Sequence, residues 1–105
     1  MTVIRANAGI ITQINVFTIP LDDQQPLIDV LSEAVACARK EPGWLSASLH
    51  RSLDGTRVVN YAQSDSLAAA KAIIGRLKRA GFLDRNKEYG EAHPGLYEVV
   101  ATYSR

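Results

Sequence analysis

The order strand, helix, strand, strand, helix, strand, and with it an α+β domain on a four-stranded antiparallel sheet, follows from three features of the sequence. Two amphipathic helical stripes lie on either side of one hairpin-like stretch, and a strand-like segment flanks the pair at each end. Both connections through a helix are long enough to cross a sheet, and the right-handedness of such crossovers leaves both helices on one face. This is a ferredoxin-like βαββαβ arrangement. At 105 residues the chain has the length of a single domain, residues 1–105, with one core to share.

The first strand is read in "GIITQINVFTI", Gly9 to Ile19, which is rich in β-branched residues and is stopped by Pro20 and the turn-forming "LDDQQP". From Pro26 to Arg39, Leu27, Val30, Leu31, Ala34, Val35 and Ala38 recur at helical spacing, and "EPG" ends the helix because Pro42 restricts Glu41 and Gly43 permits a reversal. Cys37 falls on that stripe, three residues after Ala34, and reads as core. Trp44 reads as a packing anchor at a strand start and opens a hairpin running to Ser64 around "LDGT". Asp65 or Ser66 then caps a second helix, "LAAAKAIIGRLKRA", with Ala70, Ile73, Ile74, Leu77 and Ala80 inward, Lys71, Arg76, Lys78 and Arg79 outward, and Gly81 at its end. "FLDRNKEYGEAH" is compatible with a short helix or an ordered loop, and "GLYEVVATYS" reads as the last strand with Pro94 and Gly95 as its lead-in.

Composition narrows the function. Twelve Lys and Arg against eleven Asp and Glu give a net charge of +1, too balanced for a dedicated nucleic-acid binder, and the strands lack the aromatic signature of RNA-recognition modules. The lone Cys37 cannot form an intrachain disulfide, and the two histidines, His50 and His93, are not spaced as a metal-binding pair, so no metal site is expected. No apolar run approaches the roughly 20 residues that span a bilayer and no signal-peptide pattern opens the chain; a cytoplasmic protein without membrane contact is expected. Two helices cover only one face of the sheet. The apolar residues of the other face predict a homodimer packed sheet to sheet.

At "PGWLSASLHRSLDGTRVVNYAQSDS" and "HPGLYEVVATY" the sequence resembles the antibiotic biosynthesis monooxygenase family, and the element order agrees across nearly the whole chain. The resemblance implies a dimeric α/β barrel. It also implies oxidation of a small aromatic, quinol-like or polyketide-derived metabolite by molecular oxygen, with no metal, flavin or other cofactor. Asn60 matches the family's substrate-contacting asparagine and His50 a histidine lining the same pocket, which assigns them as catalytic residues. Ser64 stands where the family usually has tryptophan, and Ala70 where the anthrone oxidases have a pocket tyrosine. Ser64, Trp44 and Arg85, the last a candidate for the family's pocket arginine, are the expected substrate-binding residues. The lost aromatics leave two other readings beside the monooxygenase: a non-catalytic ligand-binding or assembly protein on the same barrel, and a cofactor-free cyclase or isomerase. A haem-degrading relative lacks its iron ligand here, although Asn15 falls near that group's first-strand asparagine.

The chemistry fits these residue types. An electron-rich anion must pass an electron to oxygen, so an amide such as Asn60 suits the oxyanion and an imidazole such as His50 titrates in the range needed to accept a proton. Whether the two share a face depends on the turn. If Asp54-Gly55 is a two-residue turn, Leu49 opposes Asn60 and His50 points to the other face; if Ser52 pairs with Thr56 across a three-residue turn with Gly55 in a bulge, His50 and Asn60 lie together. The second register is favoured, because it places Trp44, Ser46, Ser48, His50, Val58, Asn60, Ala62 and Ser64 on one face and the more apolar residues on the other.

Overall fold

The computed structural model describes all of residues 1–105. It consists of β1 (Ile11–Thr18), α1 (Gln24–Ala38), β2 (Trp44–Arg51), β3 (Arg57–Ser64), α2 (Leu67–Arg79), α3 (Phe82–Lys87) and β4 (Glu91–Glu98). The strands form one antiparallel sheet in the order β2-β3-β1-β4, the ferredoxin-like topology read from the sequence. The stretch after α2 is the short helix α3. The last strand starts and ends earlier than expected, so Pro94 and Gly95 lie inside it; an edge strand tolerates a residue without an N–H, and β4 pairs only with β1.

Ser66 caps α2, its hydroxyl accepting the Ala69 N–H at 3.0 Å, and Gly81 in the left-handed region (φ 84°) follows the helix. Ala80, expected inward, is an exposed C-terminal residue; Ala69 is buried instead, with Ala70 and Ile73. Gly43 has φ 89°, and a Cβ there would fall 2.5 Å from Ala69 Cβ and 2.6 Å from Asp65 Oδ1, so only glycine lets the chain enter β2 against the start of α2.

Phe17 of β1 and Val58 of β3, cross-strand partners, form the core with Ile19, Leu27 and Leu31, while Val30, Ala34 and Phe82 pack nearby. Burial of Phe17, Leu27, Leu31 and Val58 contributes about 1.5–3 kcal/mol each before chain entropy is set against it. This pair also fixes which face the helices cover. Residues two apart along a strand share a face, so Gln13 and Asn15 of β1 and Asn60, Ala62 and Ser64 of β3 lie on the covered side with Phe17 and Val58. Ile14, Val16, Val59 and Tyr61 are on the outer face. No helix is long and apolar enough to cross a membrane.

The hairpin overturns the favoured register. Ser52 pairs with Arg57, its N–H reaching the Arg57 carbonyl at 3.1 Å, and Leu53–Thr56 form the loop between them. Two anchors set this closure. Gln24 Nε2 at the start of α1 donates to the carbonyls of Ser52 and Arg57 at 3.0 and 2.9 Å, and Ser52 Oγ accepts the N–H groups of Thr56 and Arg57. Inside the loop, the Asp54 carboxylate accepts from the Thr56 hydroxyl at 2.7 Å, from Ser52 Oγ at 2.8 Å and from the Thr56 N–H at 3.0 Å. These bonds, led by the Thr56 hydroxyl, lower its pKa to about 2. With this closure Leu49 opposes Asn60 and His50 opposes Val59. His50 and Asn60 are therefore on opposite faces of the sheet. A bulge between Trp44 and Ser46 shifts the register once more, so that Trp44 pairs with Ser64 and joins Asn60's face while Ser46 and Ser48 do not.

Candidate functional site

Between the covered face and the two long helices lies a cavity whose sheet wall is made by Gln13, Trp44, Asn60 and Ser64 with two alanines, and whose roof is aliphatic residues of α1 and α2. Its polar groups come from three strands, which the β1–β3 and β2–β3 registers hold in fixed relation. Asn60 is the group that packing does not account for. Its Oδ1 is buried with no hydrogen-bond partner, in a strand position that disfavours asparagine. Leaving such an acceptor unpaired costs about 1–3 kcal/mol, a sum that a leucine at this position would not incur.

Trp44, Asn60 and Ser64 thus share the cavity. Trp44 stands directly across from Ser64 on the neighbouring strand, with the Arg39 guanidinium 5.8 Å from its ring centroid. An aromatic ring is therefore placed beside the position where the family's own tryptophan is missing. Consequently Ser64 does not open a large void: the cavity measures about 30 Å³, room for a few waters at most.

The other two expected site residues lie elsewhere. His50 is exposed on the outer face, where its Nε2 is 2.8 Å from Ser48 Oγ; the hairpin register is the reason. Arg85 extends from α3 to the surface, pairing with Glu33 of α1 at 2.7 Å and covering the Phe82 ring at 5.2 Å. It serves the packing of α3 on α1.

The residue after Arg85 takes the inward position instead. Asn86 is buried and lines a second, larger cavity of about 280 Å³ between β1, β4, α2 and α3, together with Gln13 and Asn15. Gln13 lines both cavities. Gln13 and Asn86 were not singled out from the sequence. The available signal was the parity of β1, in which Gln13 and Asn15 alternate with Ile14 and Val16 and share the face of Phe17: polar residues on the covered side, apolar ones outside. No group of three or more His, Cys, Asp or Glu side chains is gathered in a way that could hold a metal ion.

Comparison with known proteins places this arrangement. No family model matches the chain. The tetracenomycin-F1 monooxygenase of Streptomyces glaucescens is 38% identical over 104 residues, covering 98% of this chain and 93% of that protein. Among solved structures, a monooxygenase from the gene ActVA-Orf6 of Streptomyces coelicolor, in complex with nanaomycin D, superposes with a TM-score of 0.78 at 27% identity over 93% of both chains. SnoaB, a cofactor-independent oxygenase from Streptomyces nogalater, shares the fold with a TM-score of 0.81 at 19% identity, covering 93% of this chain and 100% of its own. With a relative this similar along nearly its full length, and the same fold in these oxygenases, the chain belongs to the antibiotic biosynthesis monooxygenase family.

Proposed function

We propose that the protein is a cofactor-independent monooxygenase that oxidises a phenolic, polyketide-derived metabolite with molecular oxygen. The observation that carries this reading is Asn60, whose buried Oδ1 has no partner, lining a helix-covered cavity in a family of oxygenases. The molecules tied to the relatives support the chemical class: one enzyme is named for tetracenomycin F1, and another holds nanaomycin D as a ligand.

The reaction needs an acidic carbon or phenol and a place for its charge. The Asn60 amide offers both a carbonyl, which accepts the O–H of the neutral phenol, and an NH₂ group, which donates to the oxyanion once the proton has left. For an anthrone, the resulting carbanion transfers one electron to O₂, and the two radicals combine to a peroxide. Loss of water from the protonated peroxide then converts the CH₂ into a carbonyl. One oxygen atom ends in the quinone and the other in water, and no external reductant is consumed. Trp44 provides an aromatic wall, and the aliphatic roof excludes bulk water from the anion. The cavity side chains Gln13, Trp44, Asn60 and Ser64 include no base that titrates near neutrality, so the proton leaves through one of the few waters the cavity admits and the pH dependence follows the substrate's own acidity.

We also assign a homodimer through the outer sheet face. Ile14, Val16, Val59 and Tyr61 are only half-buried there, and the Tyr97 side chain on the same face is exposed, an apolar surface that a second sheet would cover.

Oxygen uptake with a panel of anthrones and hydroquinones, comparing wild type with Asn60→Ala, tests the reaction. Wild-type catalysis that drops steeply in the variant is expected, and rates no higher than the uncatalysed reaction for both proteins would reject an oxygenase.

A further inference from the structure

We propose that the second cavity is a recognition site for a hydroxyl group on the far end of a multi-ring substrate, and that Asn86 is the residue that reads it. The inference rests on the oxygenase reading for its ligand class and extends it to an unassigned part of the molecule. Size is the first argument. The space of about 30 Å³ beside Asn60 is far too small for an aromatic substrate, whereas ligand sites commonly enclose ~300–1,000 Å³. The adjoining cavity of about 280 Å³ supplies the missing volume, and Gln13 forms part of the wall of both. Two cavities that meet at one side chain accommodate a long, flat molecule better than two separate small ones.

Chemistry is the second argument. Asn86 is only 7% exposed, and its Oδ1 has no partner. Its backbone carbonyl is engaged, accepting the N–H groups of Tyr89 and Gly90 at 3.1 and 3.3 Å as α3 ends. The side chain has no such structural duty. Asn15, by contrast, already accepts the His93 N–H at 3.1 Å and so stitches β1 to β4. An unpaired buried acceptor calls for a donor, and among the groups carried by aromatic polyketides that donor is a phenolic O–H. Ile74 and Leu83 add apolar walls for the ring that bears it.

Emodin and chrysophanol test the assignment, because these three-ring quinones differ by a single hydroxyl remote from the carbonyls and are stable in air. Quenching of Trp44, the only tryptophan, reports their binding next to the first cavity. The wild type is expected to prefer emodin, and Asn86→Leu to reduce that preference about tenfold. Ala92 lines the same cavity but is exposed, so Ala92→Phe blocks the space with little disturbance of the core. It should weaken both quinones relative to hydroquinone. A wild type with no preference for emodin, an unchanged preference in Asn86→Leu, or an Ala92→Phe variant that binds both quinones as the wild type does would each overturn the assignment. Binding and turnover separate the two ideas: the expected binding pattern without accelerated anthrone oxidation rejects the oxygenase and keeps the site, while oxidation with an indifferent Asn86→Leu does the reverse.

Discussion

Replacing Asn60 by leucine should make the protein more stable and much less active. Leucine removes a buried Oδ1 that has no partner, introduces a residue that strands tolerate better, and has the same branching and number of non-hydrogen atoms, with the adjoining cavity of about 30 Å³ receiving its greater bulk. Relief of an unpaired acceptor is worth about 1–3 kcal/mol, but Asn60 is only half-buried as a residue, which argues for the low end. A gain of about 1 kcal/mol raises Tm by ~5 °C in a domain of this length. Loss of one oxyanion donor lowers kcat by ~10²–10³. Calorimetry and urea unfolding give the first quantity and oxygen uptake the second. A leucine variant that is destabilised by more than about 1 kcal/mol would show that the amide is satisfied in the folded protein and refute the functional reading of its burial. A stabilised variant that keeps activity within threefold of wild type would refute the oxyanion role alone.

Three further substitutions probe the rest of the molecule. His50→Gln should leave kcat within about threefold, since His50 is on the face away from the cavity, and the pH profile of oxygen uptake should move with the pKa of the substrate when the substrate is changed. A loss of activity on the scale expected for Asn60, with the quaternary structure intact, would bring His50 back into the site. Asp54→Asn should destabilise the protein at neutral pH and become equivalent to wild type in acid: the folded pKa of about 2 lies below the ordinary value of 3.8 for a free aspartate, so Asp54's contribution is present above that value and disappears as the pH falls through 2. Unfolding midpoints measured from pH 7 to pH 2 check the window. Val59→Glu, placing a charge in the middle of the outer face, should convert the proposed dimer to a monomer in light scattering; a wild type that is already monomeric would refute the assignment of that face.

How far the sequence could be read depended on whether the determining contact was local. The elements of β1, α1, β2, β3 and α2 followed from periodicity, and Ser66, Gly43 and Gly81 marked their ends because capping and positive φ are properties of a few neighbouring residues. The hairpin register was different. "LDGT" permits several closures, and the one adopted is selected by Gln24, 28 residues before Ser52, whose amide locks the carbonyls of Ser52 and Arg57. Separation of polar from apolar residues misled for the same reason: the outer face of β2 carries Ser46, Ser48 and His50, but across from them β3 places Val59, Tyr61 and Gln63, so polarity along one strand does not reveal which face the helices cover.

The same reasoning explains why the chemistry was legible at Asn60 and not at Asn86. Asn60 lies in a strand, where period two and the pairing of Phe17 with Val58 decide its orientation once the register is known. Asn86 lies in a helix of six residues, too short for a stripe to be read, and the side chain that turns inward is set by how α3 docks on α1 through Phe82 and the Arg85–Glu33 pair. A neighbouring arginine was the more conspicuous candidate, yet docking sends its charge to solvent and the amide to the cavity. If the second cavity binds substrate, the short helix is what adapts the family's site to a particular ring pattern: changing which of Arg85 and Asn86 faces inward alters the recognised group from an anion to a neutral hydroxyl without touching Asn60.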